Sequence, residues 1–441
     1  MVNKKEKKTN IKMIKSNKKI KKSIDTIFIQ IASYRDPQLL PTLKDCIEKA
    51  KNPQNLRFGI AWQHSDADSW DKLDEYKKDK RFKILDIDYK ESKGVCWARN
   101  TVQQLYNNEK YTLQLDSHHR FVQNWDEILI DMLQELQKHG HKKPLITSYI
   151  PSFNPDNDPA ERVQTPWKMN FDRFIPEGAV FFLPATFDEW DDNSKPLPAR
   201  FYSAHFAFSI GKFSKEVQHD PDYYFHGEEI SIAVRAYTHG YDLFHPNKVV
   251  CWHEYTRKGR TKQWDDDKEW ARRNDYCHLK NRKLFEMDGE KRDIDFGKYG
   301  FGSIRTLRDY EKYSGLSFSK RAIQKRVQEN KPPPDPQTSD LSDEEFDKSL
   351  LSIFKHCIDI QYGQVPENDY DFWAVIFKDE LDKDIYRMDA VPDEIQRMKN
   401  DPDGYCKVWR EFQTEVKPKK WIVWPHSQSK GWCEMIVGHL P

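Results

Sequence analysis

Short apolar runs alternate with amphipathic stretches through the first third of the chain. Thr26–Ile31, Leu56–Trp62, Phe82–Asp88 and Tyr111–Leu115 are rich in β-branched and aromatic residues and read as strands. Between them, Leu40, Leu43 and Ile47 recur at helical spacing, Trp70 to Lys78 is helix-like, and Ala98, Val102 and Leu105 mark one side of a helix from Trp97 to Tyr106. Asp36 is placed to cap the first helix, with Pro37 at its first position. Strand and helix thus alternate four times, which predicts an α/β fold with a mostly parallel, Rossmann-like sheet covered on both faces.

The alternation continues with a helix-like Asn124–Ile130 and weakens after Pro144. Residues 151 to 200 are rich in Pro, Asp and Asn and read as long loops. A strand is expected over Phe201–Phe208 and a helix over residues 229–239. Lys331-Pro-Pro-Pro-Asp-Pro336 reads as a linker, because successive prolines continue neither a helix nor a central strand. Beyond it, Ser342-Asp-Glu-Glu345 offers a capping box, and Phe346, Leu350 and Phe354 follow at four-residue spacing. Phe372–Phe377 and Trp421–Trp424 read as strands. The expected division is a Lys-rich disordered tail over residues 1–24, a main domain over 25–315, a helix and Pro-rich linker over 316–336, and an accessory α+β module over 337–441.

Charge changes this picture little. Lys and Arg total 72 against 71 Asp and Glu, so a general nucleic-acid-binding surface is not expected. The Lys-rich tail reads more simply as a solvated segment than as a nucleic-acid contact. The 14 Trp, 20 Tyr and 25 Phe can fill a core or stack on bases and sugars. No segment is long and apolar enough to span a bilayer, and the N-terminus lacks the apolar core of a signal peptide. Seven cysteines without a C-x-x-C spacing fit free thiols, so a cytoplasmic location is expected.

Candidate chemistry gathers where strands end, since ligands of such sheets rest beyond the carboxyl ends of the strands. Asp116 and His118 follow the fourth strand two residues apart, so on extended backbone both point the same way and suit a Mn²⁺-type cation. His253, at the end of Val249-Val-Cys-Trp-His253, can supply a third ligand. After the first strand, Arg35 and the backbone of Ala32 and Ser33 are candidates for a base and ribose. Asp86 or Asp88, closing the third strand, can accept from uracil or a ribose hydroxyl, and the pattern does not choose between them. Gly94 opens a helix whose free N–H groups suit an anion, and Arg99 on it can reach back to a nucleotide. Tyr255, Arg257 and Arg260 are placed to close over a diphosphate. Glu228 and Glu229 stand at a helix start, where one can reach the acceptor pocket.

Ile31-Ala-Ser-Tyr-Arg-Asp36, Gly94-Val-Cys-Trp-Ala-Arg-Asn100, Leu113-Gln-Leu-Asp-Ser-His118, Phe225-His-Gly-Glu-Glu229 and Asp295-Phe-Gly-Lys-Tyr-Gly300 together resemble glycosyltransferase family 60, the cytoplasmic protein-hydroxyproline N-acetylglucosaminyltransferases and their bacterial and viral relatives. The Asp-Ser-His and Gly-Glu-Glu stretches also resemble polypeptide N-acetylgalactosaminyltransferases. The resemblance covers roughly residues 25 to 315. It implies a GT-A fold, a UDP-sugar donor that is most simply UDP-GlcNAc, Mn²⁺ or Mg²⁺, and retention of anomeric configuration. It further implies metal binding by Asp116, His118 and His253, and nucleotide binding by Ala32, Ser33, Arg35, Asp86 or Asp88, Arg99 and Ser117. Tyr255 and Arg257 would lie over the diphosphate, and Glu228 and Glu229 are the carboxylates expected at the donor sugar or acceptor. The acceptor implied is a hydroxyl on a protein, hydroxyproline or Ser/Thr. Competing expectations are a glycan acceptor, another UDP-sugar, or a nucleotide-sugar-binding protein without catalysis.

Overall fold

A computed structural model describes residues 25–187, 195–336, 341–400 and 404–440; the Lys-rich tail lies outside them. The first strands are β1 (Ile27–Tyr34), β2 (Leu56–His64), β3 (Phe82–Asp88), β4 (Tyr111–Leu115), β5 (His119–Phe121) and β6 (Pro144–Thr147). They are followed by β7 (Trp167–Phe174), β8 (Val180–Thr186), β9 (Leu197–Pro198), β10 (Phe206–Ile210), β11 (Asp242–His245) and β12 (Cys251–His253). Eight form one sheet in the order β3-β2-β1-β4-β10-β6-β11-β9. β1 pairs in parallel with β2 and β4, β2 with β3, and β6 with β11; β10 and β9 run against their neighbours. The expected α/β class with a mostly parallel sheet is therefore met.

Helices cover the sheet because their apolar positions recur on one face. Leu39 and Leu43 of α1 (Leu39–Lys49) and Leu129, Met132, Leu133 and Leu136 of a helix over Trp125–Lys138 are buried against strand residues such as Ile29, Ile31, Leu113 and Leu115. The helix at Val95–Gln103, α2, sets Ala98 and Val102 against Phe28 and Ala61. A second core surrounds Glu228–Thr238, whose residues after Glu229 are all buried. A long helix at Trp270–Phe285 closes that side through Leu284 and Phe285.

Several sequence expectations change. Asp36 does not cap α1, whose N-cap is Gln38. The helix expected over Trp70–Lys78 shortens to Asp74–Lys77. The strand expected from Phe201 begins at Phe206. Ser203 N–H donates to Thr147 Oγ1 and Ala204 N–H to Glu229 Oε1, so these backbone donors serve side chains instead of a ladder. The region expected as loops contains the antiparallel β7–β8 hairpin.

After a two-strand ladder of β13 (Leu316–Ser317) and β14 (Ala322–Ile323), the chain passes to a β-rich region. Its strands are β15 (Ser352–Gln361), β16 (Tyr370–Lys378), β17 (Asp384–Arg387), β18 (Tyr405–Thr414), β19 (Lys420–Ser427), β20 (Gly431–Trp432) and β21 (Ile436–His439). Among the described residues β15 pairs with β18 alone, and the others form a second sheet centred on β16 and β19. The two sheets share a core of Ile358, Ile360, Trp373, Val375, Phe377, Val408 and Val423. The helical spacing of Phe346, Leu350 and Phe354 is not realised: the helix ends at Lys348, and Phe354 stands on β15 opposite Phe412.

Candidate active site

The carboxyl ends of β1, β4 and β12 and the start of the Glu228 helix open into one cavity of about 760 Å³. Its floor is ionic. Asp116 Oδ2 lies 3.7 Å from His118 Nε2 and 3.6 Å from His253 Nε2, and the ligating atoms of the three fall within 4.8 Å of one another. Among the described residues, neither ring nitrogen of buried His253 has a hydrogen-bond partner. Atoms 3.6–3.7 Å apart can share a centre at metal–ligand lengths of about 2.1 Å. Two imidazoles and a carboxylate therefore fit a divalent transition metal.

Asp36 sits behind this trio, almost fully buried. Its Oδ2 lies 2.7 Å from His118 Nδ1, accepts from Ser117 Oγ at 2.7 Å, and accepts from Arg260 Nη1 at 2.9 Å. Burial alone would raise the Asp36 carboxyl, but His118 and Arg260 together hold it below the ordinary carboxylate range. A carboxylate on Nδ1 fixes the imidazole tautomer and leaves Nε2 as the free lone pair facing Asp116. Arg260 Nη1 also leans to within 3.0 Å of that Nε2.

Arg99 joins this floor to the opposite wall. Its guanidinium donates to Asp116 Oδ1 and to Glu228 Oε1, each at 2.7 Å, while fully buried among them. Burial opposes ionisation of Asp116, yet Arg99 and the adjacent histidines keep it well below its ordinary value. The same Arg99 lowers Glu228, against its burial. Glu228 also takes a hydrogen bond from Cys96 Sγ, so both of its oxygens are engaged. Glu229 is different. Its Oε1 accepts from Ala204 N–H at 2.9 Å and its Oε2 from Tyr149 Oη at 3.0 Å. Burial, with a contribution from Glu228, raises its carboxyl to about 7. Gly94 and Gly227 admit the two helix starts to the cavity. Gly94 has φ +106°, and a Cβ there would lie 2.7 Å from the Tyr224 ring; Gly227 has φ +87° and abuts Asn281.

The facing wall is aromatic. Trp167 of β7, Val180, Phe181, Phe182 and Pro184 of β8, and Phe225 and Trp264 line it. Arg257, in the left-handed region at φ +54°, lies over the Phe225 and Trp264 rings.

Of the residues singled out in the sequence, Ala32, Arg99, Asp116, Ser117, His118, Glu228, Glu229, His253, Tyr255 and Arg257 line this cavity. Ser33, Arg35, Asp86 and Asp88 do not. Arg35 has φ +46° at the end of β1, and its side chain turns sideways into ion pairs with Asp68 and Asp266 at 2.7 and 3.0 Å. Asp86 pairs with His64 and Lys77 at the sheet edge, and Asp88 accepts from Lys90 N–H. Tyr255 donates to Ile150 O and stands edge-on to His253.

Three contributors escaped the sequence reading. Asp36 reads in the sequence as a helix cap, because an Asp-Pro pair after a strand ordinarily is one. His205 stacks on His253 with centroids 4.2 Å apart, while its Nε2 accepts from Ile150 N–H at 3.1 Å; its alternation within an expected strand hid it. Tyr149 follows β6 with no motif around it. The signal available for Asp36 was its place in Ser-Tyr-Arg-Asp at a strand end.

A profile of the family described as "Glycosyltransferase (GlcNAc)" matches residues 26–82 and 71–320. No curated protein sequence matches significantly. Among solved structures, GalNAc-T7 with UDP, GalNAc and Mn²⁺ aligns at 15% identity and TM-score 0.45, over 70% of this chain and 59% of that one. This chain thus spans less than two thirds of the length of GalNAc-T7. S. aureus TarS 1–349 in complex with UDP-GlcNAc aligns at 10% identity and TM-score 0.37, over 67% of this chain and 72% of that one. A mannosyltransferase from Pyrobaculum calidifontis with GDP-Man and Mn²⁺ aligns at 13% identity and TM-score 0.34, over 55% of this chain and 63% of that one.

Proposed function

Because this chain belongs to the glycosyltransferase (GlcNAc) family, we propose that it transfers GlcNAc from UDP-GlcNAc to a hydroxyl group of a protein, hydroxyproline or Ser/Thr, with retention of configuration. The observation that carries the reading is the convergence of Asp116, His118 and His253, the last with no hydrogen-bond partner on its ring among the described residues, beyond the carboxyl ends of β4 and β12. Mn²⁺ or Mg²⁺ held by these three would place positive charge against the leaving diphosphate.

The chain's own groups do the rest. Asp36 orients His118. Arg260 donates to Asp36 and stands against the His118 ring, from where its guanidinium can turn to a phosphate oxygen. Arg257 adds a second guanidinium at the mouth, suited to fork onto phosphate. Ala32, Ser117 and Arg99 line the nucleotide side, with Tyr255 against His253. The aromatic wall excludes water and receives the acceptor. Both carboxylates of the Glu228–Glu229 pair are fully engaged in hydrogen bonds, Glu228 by Arg99 and Cys96, Glu229 by Ala204 and Tyr149. Neither is free to serve as a nucleophile, which supports attack from the face of the departing diphosphate, whose oxygen takes the acceptor proton. Seven cysteines, none in a disulfide among the described residues, suit a reducing compartment, and we place the enzyme in the cytoplasm.

The test is incubation with radiolabelled UDP-GlcNAc, UDP-GalNAc or UDP-glucose, Mn²⁺, and either hydroxyl-bearing peptides or oligosaccharides. Label moving from UDP-GlcNAc to peptide is expected. Transfer to oligosaccharide alone, or UDP binding with no transfer from any donor, contradicts the reading.

A further inference from the structure

The outer face of the β16–β19 sheet carries an aromatic cluster that the active site does not use. Phe372 of β16, His426 of β19 and Trp432 of β20 stand in one row across three paired strands. Phe372 and His426 lie parallel, with centroids 5.3 Å apart and 6° between their planes. The Trp432 ring stands perpendicular to both, at 5.5 and 5.2 Å, and meets Trp424 at 4.3 Å. Trp424 is fixed by its Nε1 donating to Cys433 O at 3.0 Å. The rings are therefore held rigidly by one another.

Beneath them Ala374, Ile376 and Ile422 are buried, so the aliphatic part of this face is already covered. What meets water is ring: Trp432 is 47% exposed. At the rim, Asp371 Oδ2 pairs with His426 Nδ1 at 2.9 Å, and both side chains remain partly exposed. Asp369, Ser427 and Ser429 form a hydroxyl-and-carboxylate network at the same end.

We propose that this face is a carbohydrate-binding site, taking the apolar face of a pyranose ring on Trp432 and Trp424. Exposed rings supply the stacking surface for sugar C–H groups, and Asp371 and His426 supply acceptor and donor for ring hydroxyls. Size supports a sugar over a protein. With whole aromatic side chains near 150–250 Å², the exposed ring area here is about 300 Å² or less. A stable protein interface needs about 800 Å² from each partner. A few hundred square ångströms matches one to three sugar units. The site is separate from the donor cavity and does not depend on which sugar the enzyme transfers.

The experiment uses the full chain and a panel of tetrasaccharides built from GlcNAc, glucose, galactose, mannose or rhamnose, titrated by calorimetry. Binding of at least one is expected, weakened tenfold or more by Trp432→Ala and by Asp371→Asn, and unchanged by Asp116→Ala or by Trp409→Ala, an exposed tryptophan on the other sheet. Thermal melting of each variant confirms folding. The proposal is overturned if no tetrasaccharide binds the unaltered chain, or if Trp432→Ala and Asp371→Asn both bind as it does. It is equally overturned if the chain self-associates and Trp432→Ala alone disperses it, which would make the face a contact between copies.

Discussion

The floor and the wall of the cavity are built by opposite means. The floor joins side chains from β1, β4, β12 and the Glu228 helix through charge: Asp36, Arg99, Asp116, His118 and Glu228 each hold at least one partner at 2.7 Å. The wall comes from one hairpin, one loop and the short helix Gln263–Asp266 and is made of rings, with Phe181, Phe182, Trp167, Phe225 and Trp264. A buried ionic network loses much when one member goes, because its partners are left charged and alone. An aromatic wall loses contact area by increments. The floor should therefore decide whether transfer occurs, and the wall should decide on what.

The comparison breaks most visibly at Asp116. Replacing it by Ala should lower transfer by roughly three orders of magnitude, since a ligand is lost and Arg99 is left with Glu228 alone. Steady-state rates across a Mn²⁺ titration check this. Asp36→Asn should keep the fold while weakening Mn²⁺ affinity about 10- to 100-fold, the usual cost of losing the group that orients a histidine ligand. Equilibrium Mn²⁺ binding, read without turnover, is the measurement. On the wall, Phe181→Ala or Trp264→Ala should raise the acceptor KM about tenfold, leaving donor KM and kcat near their starting values. A comparable fall in kcat would erase the distinction between floor and wall.

An effect on stability, separate from transfer, belongs to Glu229, whose carboxyl rises from the ordinary value near 4.5 to about 7 on folding. Below pH 4.5 it is protonated in both states and costs nothing. As pH climbs to 7 the unfolded chain releases the proton first, so unfolding becomes easier by about 3 kcal/mol in all. Above pH 7 the loss is complete. Glu229→Gln should flatten this decline in urea titrations between pH 5 and 8.

The difference between floor and wall also governed what the sequence disclosed. Strand ends announce themselves, because an apolar run halting at Asp116-Ser-His118 or at His253 places polar groups at a predictable edge of the sheet. Arg99 and the two glutamates were legible from helix starts marked by Gly94 and Gly227. Arg35, Asp86 and Asp88 also stood at strand ends, yet ion pairs draw them aside. Spacing along a chain does not reveal such lateral partners. Asp36 hid behind an ordinary helix-start pattern, and only tertiary packing sets it on His118. The wall was least legible. Among the described residues β7 and β8 pair only with each other, amid Pro- and Asn-rich sequence, and their rings acquire meaning from what they face. In the C-terminal sheets, the four-residue spacing of Phe346, Leu350 and Phe354 imitated a helix although Phe354 belongs to a strand.

The central claim is that three side chains, two following β4 and one ending β12, form one cation site serving a nucleotide diphosphate. Calorimetric titration of Mn²⁺, with and without UDP, tests it directly. One Mn²⁺ per chain, bound more tightly when UDP is present, lost in Asp116→Ala and kept in Glu229→Gln, is the predicted result. Equal Mn²⁺ binding by the Asp116→Ala variant, or UDP binding indifferent to the cation, would contradict it.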